Sequence, residues 1–195
     1  MKILEGLTAI CGGIGTGKSV VSKILALMDY PVYDCDSRAR DIMDCDETIH
    51  SRLCSDIHPL AVTDGKIDRR LISEIVFADS EALKRLNGIV HHAVTDDLVR
   101  WYGEMRSRGF HRVFVETAIP RQSGLAEIVD EIWAVEAPIQ VRVGRVMVRS
   151  GLTEDQVLAR IRAQESENLN EIPHYIIRNS EDEAVLPQIH ALLRR

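Results

Sequence analysis

Glycines are concentrated near the start of the chain, in the segment CGGIGTGKSV at residues 11–20. From Gly12 to Ser19 the segment matches the pattern G-x-x-x-x-G-K-[ST], which wraps main-chain N–H groups around a phosphate. Lys18 would reach the β- and γ-phosphates of ATP, and the Ser19 hydroxyl would bind Mg²⁺. A glycine-rich turn without a ligand is the alternative interpretation. The residues predicted to bind ATP here are Gly13, Gly15, Thr16, Gly17, Lys18, Ser19 and Val20.

Two carboxylates follow the second predicted strand, in the segment YDCDSRAR that contains Asp34 and Asp36. In open α/β sheets the ligand site lies at the carboxyl ends of the strands. Alternate residues of a strand face the same way, so both carboxylates could address one site. One could accept a proton from an acceptor hydroxyl, and either could help to hold magnesium. The alternative is that Asp36 only caps the next helix.

Three arginines, Arg142, Arg145 and Arg149, are spaced three and four residues apart in a segment with helical periodicity. On a helix this spacing places them along one face. Beside Gly151, which suits a hinge, such a row is typical of a lid that closes on phosphates and excludes water. A solvated charged helix face is the alternative interpretation.

Hydrophobic periodicity predicts strands that alternate with helices. The predicted strands are residues 3–11, 30–36, 111–120, 130–138 and 173–179, and the predicted helices are 18–28, 37–49, 69–77, 81–106 and 182–194. Between Pro138 and Pro173 a helical pair is expected, with Gly151 ending one helix and a capping box, TEDQ, starting the other. This order predicts an α/β fold with a mostly parallel sheet. The long connection after the second strand predicts a helical substrate-binding insertion, with residues 55–70 as a loop.

The composition is that of an ordinary globular protein, with 45% hydrophobic and 28% charged residues. The formal net charge of −6 argues against a nucleic-acid-binding protein, which usually has a basic excess. No apolar run approaches the length of a membrane span, and the first ten residues lack the layout of a signal peptide. The four cysteines have neither CxxC nor zinc-site spacing. We therefore expect a cytoplasmic protein without nucleic-acid or membrane partners, as a monomer or weak homo-oligomer.

Several motifs, taken in order, resemble those of the dephospho-coenzyme A kinase family. The family's GLTGGIGSGKS corresponds to AICGGIGTGKS, and its D-A-D-x-x-x-R to DCDSRAR. Its G-x-L-D-R…VF…L…L-N…H-P segment is similar to GKIDRRLISEIVFADSEALKRLNGIVHH, and its R-x-x-x-R-x-G lid to RVMVRSG. The family's R-I…Q and V-I-x-N correspond to RIRAQ and IIRN. The similarity covers nearly the whole chain.

The resemblance implies a P-loop kinase with a three-layer α/β/α fold, a five-stranded sheet, a helical insertion and a helical lid. It implies one domain over residues 1–195. The nucleotide-binding core would comprise residues 1–36, 110–137 and 173–195. Residues 37–109 would form the helical coenzyme A-binding subdomain, and residues 138–172 the lid.

The resemblance also implies an activity, the transfer of a phosphoryl group from ATP to the ribose 3′-hydroxyl of dephospho-coenzyme A, with Mg²⁺ as cofactor. This is the last step of coenzyme A synthesis. Asp36 would be the catalytic base, aided by Lys18, Arg145 and Arg149, and Asn179 would lie near the adenine. Magnesium would bind Ser19, together with Asp34 or Asp36. The implied contacts to dephospho-coenzyme A are Asp34, Asp36, Arg38, Asp68, Arg69 and His91.

The chain departs from the family pattern at a few positions. IPRQSGL follows the third large strand, where the family usually has P-L-L-F-E, and His92 replaces the proline of H-P. A nucleoside-monophosphate kinase or another small-metabolite kinase of the same fold is the alternative enzyme. The alternative that is not an enzyme is a nucleotide-binding switch. Against it, the chain has no N-K-x-D motif, which would recognise the base.

Overall fold

A computed structural model of the 195-residue chain describes residues 3–164, 169 and 172–195. The strands are β1 (Leu4–Cys11), β2 (Val32–Asp34), β3 (Val62–Thr63), β4 (Lys66–Ile67), β5 (Val113–Glu116), β6 (Val129–Glu136) and β7 (Tyr175–Arg178). The helices are α1 (Lys18–Leu27), α2 (Cys35–Cys45), α3 (Glu47–Asp56), α4 (Arg69–Ala78), α5 (Ser80–Ser107), α6 (Ile139–Ser150), α7 (Glu154–Ala163) and α8 (Val185–Leu193). The chain divides into two compact units, one of which is Asp34–Gly103.

The larger unit is built on a five-stranded parallel sheet in the order β2-β5-β1-β6-β7. Strand β1 pairs in parallel with β5 on one side and with β6 on the other, and β6 pairs in parallel with β7. This confirms the predicted parallel α/β architecture. The order places β1, and therefore the glycine-rich segment that follows it, at the centre of the sheet.

The central strands are buried on both faces, as a parallel sheet covered by helices requires. Leu7, Ala9 and Ile10 of β1 are fully inaccessible to solvent, and the other central strands show similar runs. One core cluster joins sheet residues to α1 and α8, with the Phe114 and Trp133 ring centroids 5.1 Å apart. Its fully buried members are Ile10, Val21, Leu25, Phe114, Trp133, Val135, Ile177 and Ile189.

The second unit, Asp34–Gly103, is mainly helical and has its own core. Its buried cluster is made of Ile49, Leu53, Ala61, Ile72 and Ile89. A two-stranded hairpin interrupts the segment expected to be a loop. Asp64 and Gly65 form its turn with φ angles of 50° and 72°, a conformation for which Asp-Gly is favoured.

Two further sequence predictions in this part of the chain are wrong. Strand β2 ends at Asp34 rather than at residue 36, because the Asp34 carboxylate caps α2 by accepting from the N–H groups of Asp36 at 3.0 Å and Ser37 at 3.3 Å. The helix predicted over 37–49 is broken at Asp46, whose carboxylate caps α3. Short polar side chains compete with helix continuation in this way.

Helices α6 and α7 form the expected helical pair. Gly151 ends α6 with a φ of 65°. The capping box at the start of α7 is confirmed, since Thr153 and Gln156 each accept from the other's main-chain N–H, at 3.4 and 3.0 Å. The predicted lid runs to residue 172, and its residues 165–168, 170 and 171 lie outside the described residues. In the described part of the chain, every helix is too short or too polar to cross a membrane.

Candidate active site

The glycine-rich segment forms a loop between β1 and the first residue of α1, Lys18. Gly17 is the N-cap of α1 with a φ of 99°, a left-handed conformation that costs glycine nothing. A Cβ on Gly17 would also collide with the side-chain amide of Asn179. The helix therefore begins without a capping side chain, so its first N–H groups remain directed at the loop, as in anion-binding helix N-termini.

The ammonium group of Lys18 lies over the loop rather than in open solvent. Its Nζ donates to the carbonyl oxygen of Gly12 at 2.7 Å and approaches that of Gly13 at 3.4 Å. The Thr16 hydroxyl also donates to the Gly13 carbonyl, at 3.0 Å. The loop thus holds the Lys18 ammonium group close to its main chain, and a positive charge at this place suits the binding of a polyphosphate.

The predicted ATP-binding residue Asn179 lies directly beside the loop. Its Nδ2 donates to the Thr16 carbonyl at 2.7 Å, and its main-chain N–H donates to the Glu136 carbonyl at 2.8 Å. Arg145 joins the same group, with contacts of 3.3 Å to the Asn179 Oδ1 and 3.5 Å to the Thr16 carbonyl. The structure therefore brings together an arginine of α6, the residue after β7 and the phosphate loop.

The three arginines lie on α6, three and four residues apart as predicted, and they differ in their contacts and exposure. Arg142 turns to the phosphate loop, where its Nε donates to the Ile14 carbonyl at 2.9 Å. Partial burial lowers the pKa of the Arg142 guanidinium from its ordinary value, through desolvation of the charge. The Arg149 side chain is exposed, and it makes no hydrogen bond or ion pair with any residue that the structure describes. Arg142 and Arg145 therefore both contact the phosphate loop, and the exposed Arg149 is available for a ligand.

Two depressions border these residues within the larger unit. One, of about 710 Å³, is lined by Arg145, Arg149 and Glu181 among others. The second, of about 340 Å³, lies where β6 ends, and includes Gly12, Gly13 and Arg142. Ligands of open parallel sheets bind at this carboxyl edge of the strands. The second depression therefore lies where a ligand of such a sheet is expected.

Comparison with known proteins identifies the family. The dephospho-CoA kinase family model matches residues 6–184. The chain belongs to the dephospho-CoA kinase family. A dephospho-CoA kinase from Bacteroides fragilis is 34% identical over 194 residues, which span 99% of this chain and 92% of that protein. One from Thermus thermophilus is 37% identical over 158 residues, or 81% of this chain and 74% of that protein.

A solved structure supports the same fold. A crystal structure of a Thermus thermophilus protein superposes with a TM-score of 0.77 at 34% identity, covering 97% of this chain and 95% of that one. This agreement confirms the three-layer α/β fold expected for a dephospho-CoA kinase.

The Asp34–Gly103 unit of this dephospho-CoA kinase family member contains the two aspartates near its start. Asp34 is the N-cap of α2 and also accepts from the Ser37 hydroxyl at 2.7 Å. Asp36 lies in the first turn of α2. Its exposed carboxylate has no hydrogen bond or ion pair among the described residues. The capping role considered for Asp36 thus belongs to Asp34.

The other residues predicted to contact the acceptor are spread over the helical unit. Arg38 is held by Asp97 of α5, and Arg69 pairs with Asp44 at 2.6 Å. Asp68 is the N-cap of α4 and accepts from the Leu71 N–H at 2.9 Å. His91 lies in the middle of α5 and is half-buried. Their proposed contacts with the acceptor stay predictions.

Sequence reasoning missed two side chains, one that holds a predicted site residue and one that holds the phosphate loop at a position not predicted to bind ATP. Asp97 holds Arg38 within the helical unit. Gln164, at the end of α7, accepts a hydrogen bond of 2.7 Å from the Ile14 N–H in the phosphate loop. Gln164 belongs to the RIRAQ motif, but its contact with a residue 150 positions away leaves no pattern in the neighbouring sequence.

Proposed function

We propose that this chain transfers the γ-phosphoryl group of ATP to the ribose 3′-hydroxyl of dephospho-CoA, the last step of coenzyme A synthesis. The observation that carries this proposal is the family match over residues 6–184, which includes the phosphate loop. The comparisons give no support to the alternative of a nucleoside-monophosphate kinase.

The residues around the loop are suited to Mg²⁺-ATP. Ser19 follows Lys18 at the start of α1, and its hydroxyl makes no hydrogen bond with any described residue. A hydroxyl oxygen is the kind of ligand that Mg²⁺ accepts, alongside water and substrate phosphates. No cluster of three or more His, Cys, Asp or Glu side chains that could hold a metal occurs among the described residues. The proposed Mg²⁺ ligands are the Ser19 hydroxyl, together with Asp34 or Asp36, and oxygens of the triphosphate. When bound, Mg²⁺ neutralises charge on the phosphate oxygens.

The transferring group would be stabilised by Lys18, Arg145 and Arg149. Phosphoryl transfer passes through a loose transition state in most analyses, so positioning and charge neutralisation supply most of the rate. Lys18 is already placed over the loop by its contact with the Gly12 carbonyl. The arginines belong to the proposed lid at residues 138–172, and their positive charges suit the equatorial oxygens of the transferring group.

The acceptor would be bound by the helical subdomain, residues 37–109, together with Asp34 and Asp36. Asp36 would accept the proton of the 3′-hydroxyl, because its carboxylate is exposed and is not used as a helix cap. Asp34 is engaged in capping, so it would serve mainly to orient the first turn of α2. Arg38, Asp68, Arg69 and His91 would complete the contacts with dephospho-CoA.

The proposed function is tested by determining which acceptor the protein phosphorylates. The purified chain is incubated with Mg²⁺-ATP and, separately, dephospho-CoA, AMP, CMP or shikimate, and the phosphorylated products are identified by mass spectrometry. We expect phosphate on dephospho-CoA alone, and no transfer when Mg²⁺ is removed by a chelator. Phosphorylation of AMP or CMP in place of dephospho-CoA would overturn the proposal in favour of the alternative kinase.

A further inference from the structure

Ile14, at a variable position of the phosphate-loop pattern, is held by the lid through both of its main-chain polar groups. Its N–H donates to Gln164 Oε1 at 2.7 Å, and its carbonyl accepts from Arg142 Nε at 2.9 Å. Gln164 lies at the end of α7 and Arg142 lies in α6. Each helix of the lid pair therefore contributes one side chain to the same loop residue.

The side chain of Ile14 belongs to the lid as well. It packs against the apolar cluster between the two lid helices, whose buried members are Val143, Val146, Val157 and Ile161. The main chain of α6 also approaches the loop closely at the next residue. A Cβ on Gly15 would lie 2.7 Å from the Arg142 carbonyl oxygen and 3.0 Å from the Arg142 Cα. The lid and the loop are thus packed together around Ile14.

We propose that Gln164 is a positioning residue, which fixes the Ile14 peptide and thereby holds the phosphate loop in the shape that binds the polyphosphate of a nucleotide. The proposal rests on the proposed function only in taking ATP as the ligand of the loop. An N–H group donates one strong hydrogen bond, so the Ile14 N–H is committed to Gln164. The phosphates are left to the remaining N–H groups of the loop and to Lys18.

The physical reason is that a glycine-rich loop is held in one shape only by contacts from outside it. Glycines have the greatest backbone freedom, and Ile14 lies between Gly13 and Gly15. If Gln164 no longer accepts, the Ile14 peptide can rotate and the loop samples shapes that do not bind phosphate. When only a fraction of the protein molecules has the loop in its binding shape, the apparent affinity for the ligand falls by that fraction.

The decisive variant is Gln164→Met, which keeps the length of the side chain and removes the amide oxygen. Its matched control is Gln156→Met at the start of α7. Gln156 also accepts one main-chain N–H, that of Thr153 at 3.0 Å, and it takes no part in the phosphate loop. Each variant loses one hydrogen bond from a main-chain N–H to a glutamine amide oxygen, the partly buried one to Ile14 or the exposed one to Thr153, so a loss of stability is expected in both.

We expect isothermal titration calorimetry without acceptor to show ATP and ADP binding to Gln164→Met weakened about tenfold, the loss typical of one hydrogen bond. Gln156→Met should bind both nucleotides within about twofold of the wild type, although its melting temperature falls. In steady-state assays the KM for ATP should rise in Gln164→Met, while the KM for the acceptor stays unchanged. A purely structural role of Gln164 would not produce this separation.

Ile14→Ala tests the same coupling by a second route, since it removes the side chain from the lid cluster and keeps the peptide. It should weaken ATP binding in the same way, and the double variant Ile14→Ala/Gln164→Met should lose less affinity than the two single losses combined. Wild-type or tighter ATP binding by Gln164→Met would overturn the proposal. If Gln164→Met does not fold, unchanged ATP affinity in Ile14→Ala would overturn it. Wild-type protein that binds ATP but does not phosphorylate dephospho-CoA would instead refute the proposed function.

Discussion

Two nitrogens of the Arg38 guanidinium, Nε and Nη2, donate to the same oxygen of the Asp97 carboxylate, at 2.9 and 2.7 Å. The other Asp97 oxygen accepts from Arg100 at 3.1 Å. The Asp97 side chain is only 10% exposed, whereas that of Arg38 is 44% exposed. A nearly buried carboxylate therefore orients an arginine whose outer surface remains accessible.

Asp97→Ala is expected to destabilise the protein and to weaken acceptor binding. Removing one partner of a charge pair leaves the other uncompensated, which costs about 3–5 kcal/mol when both are buried. Because Arg38 is partly solvated, we expect about 1–3 kcal/mol in urea unfolding. If Arg38 contacts dephospho-CoA, the KM for dephospho-CoA should rise while the KM for ATP stays constant.

Asp41→Ala is the control for this prediction. Asp41 is 68% exposed and approaches Arg38 only to 4.0 Å, so this exposed pair should contribute less than about 1 kcal/mol. Equal effects of the two substitutions on the acceptor KM would show that Asp97 has no special part in orienting Arg38.

Lys18→Ala is expected to reduce phosphoryl transfer by at least about 10²-fold, the effect of losing one group that stabilises transition-state charge. The fold should survive, because Lys18 contacts the loop carbonyls of Gly12 and Gly13 and is not part of the apolar core. Turnover with saturating dephospho-CoA and circular dichroism measure the two effects. Lys23→Ala, on the exposed side of the same helix, should leave turnover unchanged. Wild-type turnover in Lys18→Ala would refute the assigned role of the lysine.

Arg149→Ala and Arg145→Ala are expected to lower kcat more than they weaken ATP binding. Arginines that act on charge present mainly in the transition state change the rate and not the ground-state affinity. Arg149 should show this effect most cleanly, since Arg145 also contacts Asn179 and the Thr16 carbonyl. Arg162→Ala, which removes an exposed arginine from α7, serves as the control for charge. A change in ATP affinity alone would show that the arginines hold the ground state.

Asp36→Asn is expected to reduce turnover by about 10²–10⁴-fold, the usual contribution of a general base. Nucleotide binding should be retained, because the phosphate loop is unchanged. The capping carboxylate belongs to Asp34, so Asp34→Ala should destabilise the protein by about 1 kcal/mol, and Asp34→Asn by much less. The measurements are acceptor-dependent turnover and thermal unfolding of all three variants.

A magnesium titration further distinguishes the roles of Asp34 and Asp36. If Asp34 also serves the metal, a high Mg²⁺ concentration should partly restore the activity of Asp34→Asn and leave that of Asp36→Asn low. Near-normal turnover in Asp36→Asn would mean that the base is another residue.

The sequence predicted those features of the fold that depend on neighbouring residues. The strand before Gly12, the helix from Lys18, the end of α6 at Gly151 and the capping box at Thr153 all depend on neighbouring residues, and the structure has them. The motifs around the phosphate loop and the lid likewise indicated the family before any fold was known.

The sequence did not predict features for which two local structures compete, or contacts between residues that are far apart in the chain. The alternation of Asp34 and Asp36 resembled the end of a strand, but the capping bonds to Asp34 favoured an earlier helix start. The pairing of Arg38 with Asp97 and of Ile14 with Gln164 joins residues 59 and 150 positions apart. Such contacts are decided by tertiary packing, which single-residue propensities do not encode.

The bond from the Ile14 N–H to Gln164 should make the Ile14 amide proton a reporter of any separation of α7 from the phosphate loop. Main-chain amide protons exchange with solvent only when their hydrogen bonds break. The Thr16 N–H of the same loop donates to a main-chain carbonyl, that of Gly13, whereas the Ile14 proton is covered by a side chain from the end of α7. Its deuterium uptake should therefore report each separation of α7 from the loop, in the free enzyme and during turnover.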